Sequence, residues 1–157
     1  MQGDSEIIEI LNDVLTAELT AINQYFIHAK MCDNWGFSRL ADHTRHESID
    51  EMRHAEQLIE RVLFFDGVPN MQRLFPIKVG ETVREQFELD LEVERQAVSR
   101  LNNGIAVCVA KGDNATRALL EGILVSEEEH ADWLETQLEA MTLVGDQNYL
   151  AQQLHEG

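Results

Sequence analysis

Apolar residues recur along this chain at i, i+3, i+4 and i+7. Ile7, Ile8, Leu11, Val14, Leu15, Leu19 and Ile22 form one stripe, and Leu58, Ile59, Val62 and Leu63 form a second. Leu119, Leu120, Ile123 and Leu124 open a third, which Leu134, Leu138 and Met141 continue. This is the periodicity of amphipathic helices, and no segment reads as a strand. Punctuation then places the boundaries. Asp4-Ser5 can cap a helix over 5–33, which Asn34-Trp35-Gly36 ends. Ser38 can cap a second helix over 38–66. Thr82-Val83-Arg84-Glu85 fits a capping box for a third helix over 82–111. Lys111-Gly112-Asp113 breaks the chain again, and Asn114 can cap a fourth helix over 114–144. Gly145 ends that helix, and a short tail helix is predicted over 147–154 through Tyr149, Leu150 and Leu154.

Two of the breaks are tight and suit antiparallel hairpins. The connection from Gly67 to Gly80 is different, and it holds both prolines, Pro69 and Pro76. Fully extended at up to ~3.3 Å per residue, it covers about 46 Å. A helix of about 30 residues is roughly 45 Å long. The connection can therefore run the length of a bundle. The pattern predicts an all-α fold over residues 1–157 as one domain: a four-helix bundle with one long crossover and a short C-terminal fifth helix.

The stretch Glu47-Ser-Ile-Asp-Glu-Met-Arg-His-Ala-Glu56 is acid-rich, and Glu47 and Glu51 stand at i,i+4, where like charges repel on a helix. Glu51 and His54 are i,i+3 and share a face. The same spacing returns in Glu127 and His130, 76 residues later. That shift also carries Glu18 onto Glu94, Leu15 onto Leu91, Ala21 onto Ala97, Ala55 onto Ala131 and Leu58 onto Leu134, as in an internal repeat. Glu18 and Glu51 are centred on 34.5, inside the first break, and Glu94 and Glu127 on 110.5, beside the second. Residues equidistant from a hairpin turn lie at one height. Packing the two hairpins together would gather four carboxylates and two imidazoles in one core. Unpartnered, those carboxylates would be prohibitively costly to bury, so they must take protons or cations. Two divalent ions would balance four carboxylates, and oxygen donors with one nitrogen per ion suit iron or manganese better than a structural zinc site.

Composition narrows the partners. Lys+Arg is 12 against 29 Asp+Glu, a formal net charge of −17. This argues against nucleic acid and anionic membrane surfaces and is compatible with attraction of cations. No leader peptide and no membrane span are expected. Cys32 and Cys108 form no CxxC pair and are expected to be reduced structural thiols, which points to the cytoplasm.

The stretches AINQYFIHAKM from Ala21 to Met31, HESIDEMRHAE from His46 to Glu56, DWLETQLE from Asp132 to Glu139 and QNYLAQQL from Gln147 to Leu154 resemble the bacterioferritins, haem-binding ferritins, over nearly the whole chain. The resemblance implies a ferritin-like bundle with a diiron ferroxidase centre at Glu18, Glu51, His54, Glu94, Glu127 and His130. Glu51 and Glu127 would bridge the two irons, which dioxygen or peroxide would oxidise. It implies ferric mineral stored in a hollow homo-oligomeric 24-mer built from two-fold dimers, with a possible second bacterioferritin subunit type and a ferredoxin-like reductant for iron release. It makes Met52, about 100° from Glu51 on the helix, a ligand of a haem b shared by two subunits. Met31, Arg45, Ser48 and Ile49 could line that interface. His46 and Asp50 would form a secondary iron patch on the inner surface, and Tyr25, i+7 from Glu18, would be an auxiliary neighbour of the centre. Leu58 stands where some relatives carry a second tyrosine. Asn34, Asp66, Asp132 and Thr136 match pore positions. His28, His43 and His155 have no partner at ligand spacing and are expected to be structural or surface groups, with Trp133 a packing residue. The alternative reading is a diiron or dimanganese peroxidase- or catalase-like oxidoreductase on the same bundle.

Overall fold

Helix starts and stops follow local backbone needs. Asp4, in extended conformation, accepts hydrogen bonds from the backbone N–H groups of Glu6 and Ile7 and starts α1, Ser5–Asn34. Thr82 likewise accepts from Glu85 N–H and starts α3, Val83–Lys111, which Gly112 ends in the left-handed region at φ 72°. The computed structural model describes residues 1–154, so His155 lies outside the described residues. The other helices are α2, Ser38–Phe64, α4, Asn114–Val144, and α5, Asp146–Ala151.

Two expected caps move by one residue. Asp113, not Asn114, caps α4 by accepting from Thr116 N–H. Ser38 lies inside α2, whose N-cap, Phe37, makes no side-chain capping bond. The tight turn decides this, because Phe37 N–H bonds Cys32 O while Phe37 O already accepts from Ala41 N–H. The second helix stops before 66, since Asp66 takes φ 60° and Gly67 N–H closes back onto Val62 O. The tail helix ends at Ala151, and Leu154 follows a turn and is exposed.

α1 packs on α2 and α3 on α4 as antiparallel hairpins, which meet through α1 against α3 and α2 against α4. The apolar core is split in two. Ile7, Leu11, Leu15, Leu58, Val62, Leu101, Leu120 and Ile123 fill one end. Leu40, Val83, Phe87, Leu134, Met141 and Tyr149 fill the other. Each fully buried leucine contributes about 1.5–3 kcal/mol. Leu63, placed on the second stripe, is instead 55% exposed, because it sits beside the arc through Leu58 and Val62 rather than on it. Leu58 itself is fully buried. The zone between the two clusters is polar, and it holds the centre described below.

The crossover runs up α1 and is pinned to it by a ladder of polar side chains at four-residue spacing. Asn12 donates to Val68 O and accepts from Asn70 N–H. Thr16 accepts from Arg73 Nε, Thr20 from Phe75 N–H, Gln24 from Lys78 N–H and His28 from Gly80 N–H. Four of the loop's backbone donors, those of Asn70, Phe75, Lys78 and Gly80, are thus satisfied without a sheet. At its end a Cβ on Gly80 would stand 2.5 Å from Gln86 N, so only glycine fits against α3.

Candidate metal centre

Glu18 comes from α1, Glu51 and His54 from α2, Glu94 from α3, and Glu127 and His130 from α4. The helical i,i+3 spacing puts each histidine one turn from its glutamate. All four carboxylates are at most 2% exposed. His54 Nδ1 lies 3.3 Å from Glu51 Oε2, 3.5 Å from Glu127 Oε1 and 3.8 Å from Glu18 Oε2. His130 Nδ1 lies 3.1 Å from Glu51 Oε1, 3.5 Å from Glu94 Oε1 and 3.6 Å from Glu127 Oε1. Two groups of ligand atoms result, each within 4.8 Å: Glu18, Glu51, His54 and Glu127, and Glu51, Glu94, Glu127 and His130. Glu51 and Glu127 belong to both.

The electrostatics are those of a site built around cations. Burial raises the carboxyl pKa values, but hydrogen bonds from His130 and His54 overcome it at Glu51 and lower it to about 2. At Glu94 burial and the charge of Glu51 prevail over His130 and lift it to about 7. Glu127 is pushed well above the usual range by burial and by the charges of Glu51 and Glu94. His130 loses by burial but gains more from hydrogen bonds to Glu51 and Glu94, and rises to about 11. Protons thus do part of the work that metal ions would do. They leave Glu18 Oε1, Glu94 Oε2 and Glu127 Oε1 buried without a hydrogen-bond partner. Three orphaned carboxylate oxygens in one core fit hard cations, and with two imidazoles they fit iron.

Three acidic or aromatic neighbours complete the surroundings. Tyr25, 1% exposed, donates its hydroxyl to Glu94 Oε1. Asp50 Oδ2 lies 3.3 Å from His130 Nε2 on the far side of the ring from the ligands. Glu47, 6% exposed, hydrogen-bonds His43 and stands 3.9 Å from His130 Nδ1. Sequence reasoning marked Glu47 only as a repulsive neighbour of Glu51, and that repulsion was the available sign of a fifth buried carboxylate. Asp90 was not singled out at all. It is fully buried and accepts from Gln24 Nε2 at 2.9 Å, while His28 Nδ1 lies 2.9 Å away on the same oxygen. Gly80 N–H donates to the other His28 nitrogen, so the ring is neutral with its proton on Nδ1. His28 is therefore structural. His43 stacks on Trp133 with ring centroids 3.6 Å apart, and Trp133 also meets Phe87 edge-on.

The other site residues lie elsewhere. Met52 is 48% exposed, and Phe26 on α1 is 51% exposed. His46 is exposed and borders, with Asp42, Glu47, Asp50 and Glu129, a groove reaching His130. Asn34, Asp66, Asp132 and Thr136 are exposed. Ser48 does not fit the interface it was assigned to, because it is buried and donates to Ile22 O between α1 and α2.

Carboxylates and imidazoles shared between two overlapping positions, inside a bundle with one long crossover, define the ferritin-like carboxylate proteins. The ferritin-like domain model matches residues 8–144, and the chain belongs to that family and, within it, to the bacterioferritins. It is 56% identical over 152 residues to a bacterioferritin of Mycolicibacterium paratuberculosis, covering 97% of this chain and 96% of that protein. It is 55% identical over 152 residues, with the same coverage, to bacterioferritin BfrA of Mycobacterium tuberculosis. The solved structure of M. tuberculosis BfrA superposes with a TM-score of 0.97 at 54% identity, over 99% of this chain and 98% of that one. These relatives favour iron storage over the alternative oxidoreductase. No helix among the described residues is long and apolar enough to cross a membrane.

Proposed function

We propose that this chain oxidises ferrous iron at the six-residue centre and passes the ferric product into a hollow oligomeric store. Iron storage itself follows from membership in the bacterioferritins. The observation that carries the ferroxidase reading is the pair of overlapping ligand groups sharing Glu51 and Glu127. Two ferrous ions are the substrate, and dioxygen or peroxide accepts their electrons. Glu18 with His54, and Glu94 with His130, hold one ion each. Glu51 and Glu127 hold both, which fixes their separation and lets two electrons leave together. Glu94, Glu127 and His130 give up protons as the ions enter, and can take them back when ferric product leaves.

The remaining roles rest on the family. Met52 offers one thioether on an exposed helix face, and Met52 of a second copy would offer another. A haem b shared by two subunits fits that count, and its ring would supply an electron path across the interface. His46 and Asp50 stand at the groove beside His130 and would receive iron on the inner surface of a cytoplasmic 24-mer. Tyr25, hydrogen-bonded to Glu94, is placed to follow the oxidation state of the centre. A ferredoxin-like protein is the proposed reductant for release, and a second bacterioferritin subunit type a possible shell partner.

An aerobic ferrous titration of the metal-free protein tests the main proposal by ferric absorbance. Rapid oxidation of the first two ions per chain, then continued growth of soluble mineral, is the expected course. A fast phase followed by precipitation removes the store, and a rate no faster than buffer removes the ferroxidase. Replacing Met52 with leucine should abolish the Soret band of haem-loaded protein while leaving the fast ferrous phase in place.

A further inference from the structure

The two histidines face the carboxylates in the same way and differ behind them. Both present Nδ1 to the ligand oxygens, at 3.1–3.6 Å for His130 and 3.3–3.8 Å for His54. On the opposite side, His130 Nε2 lies 3.3 Å from Asp50 Oδ2, across the α2–α4 contact. His54 Nε2 has no hydrogen-bond partner among the described residues, and it borders an open groove with Arg53, Gln57 and Ser126. The 76-residue shift that maps the ligands onto each other maps Asp50 onto Ser126, so the repeat supplies a carboxylate to one imidazole and a hydroxyl to the other.

We propose that Asp50 is a positioning residue for His130, and that it makes the Glu94/His130 position the tighter of the two metal positions. The inference rests on the six residues being a metal centre. An imidazole that binds metal through Nδ1 keeps its one proton on Nε2. A carboxylate accepting that proton selects this tautomer, holds the ring plane and makes Nδ1 a better donor. Losing such a partner weakens metal binding by about 10–100-fold. Nothing comparable holds His54. Asp50 Oδ1, by contrast, meets only an exposed Arg53 at 3.4 Å, a contact of little strength.

Cobalt(II) is the probe, titrated anaerobically into the metal-free protein and followed by its visible d–d bands. The wild type should bind two ions per chain in two unequal steps. Asp50→Ala should weaken the first step by about 10–100-fold and leave the second in place. Asp50→Asn, which keeps an acceptor oxygen, should recover part of the loss. In a His130→Ala background, which keeps one position, Asp50→Ala should not change the remaining step, because the group it positions is gone. That non-additivity separates positioning from a separate inner-surface site at Asp50, which would lose an ion in either background. Two unchanged steps in Asp50→Ala would overturn the assignment. An absence of d–d bands in the wild type would instead remove the metal centre. If Asp50→Ala folds poorly by circular dichroism, the asparagine variant and its His130→Ala double carry the same comparison.

Discussion

Shifting the α1–α2 hairpin by 76 positions carries each of its three proposed ligands onto a proposed ligand of α3–α4, but almost none of the polar groups around them. Tyr25 falls on Leu101, Glu47 on Ile123, Asp50 on Ser126 and Met52 on Glu128. The ladder residues Thr16, Thr20 and Gln24 fall on Glu92, Gln96 and Arg100. The first two of those partners are exposed and the third half-buried, and the crossover meets them only through side chains, Lys78 at Glu92 and Phe75 under Arg100. The chemistry that needs two metal positions is symmetric, whereas the parts that face the strap, the groove and a second copy are not. Near-equal ligands in unequal surroundings are what a centre needs if its two ions are to have different affinities.

The symmetric part should fail symmetrically. Glu51 and Glu127 each belong to both ligand groups, so Glu51→Ala and Glu127→Ala should each cost both positions. The rapid ferrous phase should fall by about 10²-fold or more in stopped-flow, the size of loss seen when one charge-stabilising group is removed. His54→Ala and His130→Ala should each leave one position. A rapid two-ion phase surviving in either glutamate variant would break the shared-ligand reading.

Protons provide the next test. With Glu94 at about 7 and Glu127 well above the carboxylate range, the folded metal-free chain binds protons that the unfolded chain has lost. Its stability should therefore fall as pH rises from about 4.5 through about 7. The raised His130 acts in the same direction over a higher window: its contribution is complete below about 6.5 and is lost as pH climbs through about 11. Metal binding must displace these protons, so affinity should rise with pH from about 5 to 8. Calorimetry in buffers of different ionisation enthalpy should read a net proton release at neutral pH. No release would mean that the centre is already ionised.

The six residues of the candidate centre were legible because helical spacing, one repeat shift and two turn midpoints all constrain them. The crossover's length was legible too, but its ladder was not. Asn12, Thr16, Thr20, Gln24 and His28 recur at i+4 beside the apolar stripe, yet their partners are four backbone N–H groups and one arginine side chain of a loop with no periodicity of its own. Asp90 escaped because its partners, Gln24 and His28, lie in another hairpin. The ladder separates the two halves energetically. Gln24→Ala leaves Lys78 N–H and a buried Asp90 oxygen short of partners and should cost about 1–3 kcal/mol. Gln96→Ala, in the exposed counterpart of Thr20, should stay within about 0.5 kcal/mol. Urea denaturation of the two variants decides the matter, and equal losses would mean that the strap does not depend on α1.

The smallest difference lies at the helix starts. Phe37 and Asp113 correspond under the same shift, yet only Asp113 caps its helix. Its carboxylate accepts from Thr116 N–H at 3.0 Å and from Thr116 Oγ1 at 2.6 Å, and it lies 3.5 Å from Arg61 Nη2. Arg61 is itself held over the Phe64 and Phe65 rings. Asp113 therefore ties the start of α4 to the end of α2, whereas the turn before α2 depends on backbone bonds alone. Asp113→Ala should cost about 1–2 kcal/mol, and Asn114→Ala and Ser38→Ala, which alter no cap, about 0.5 kcal/mol or less. Thermal melts of the three variants at one protein concentration make the comparison. If Ser38→Ala matched Asp113→Ala, the α2 start would be capped by its serine after all, and this difference between the hairpins would disappear.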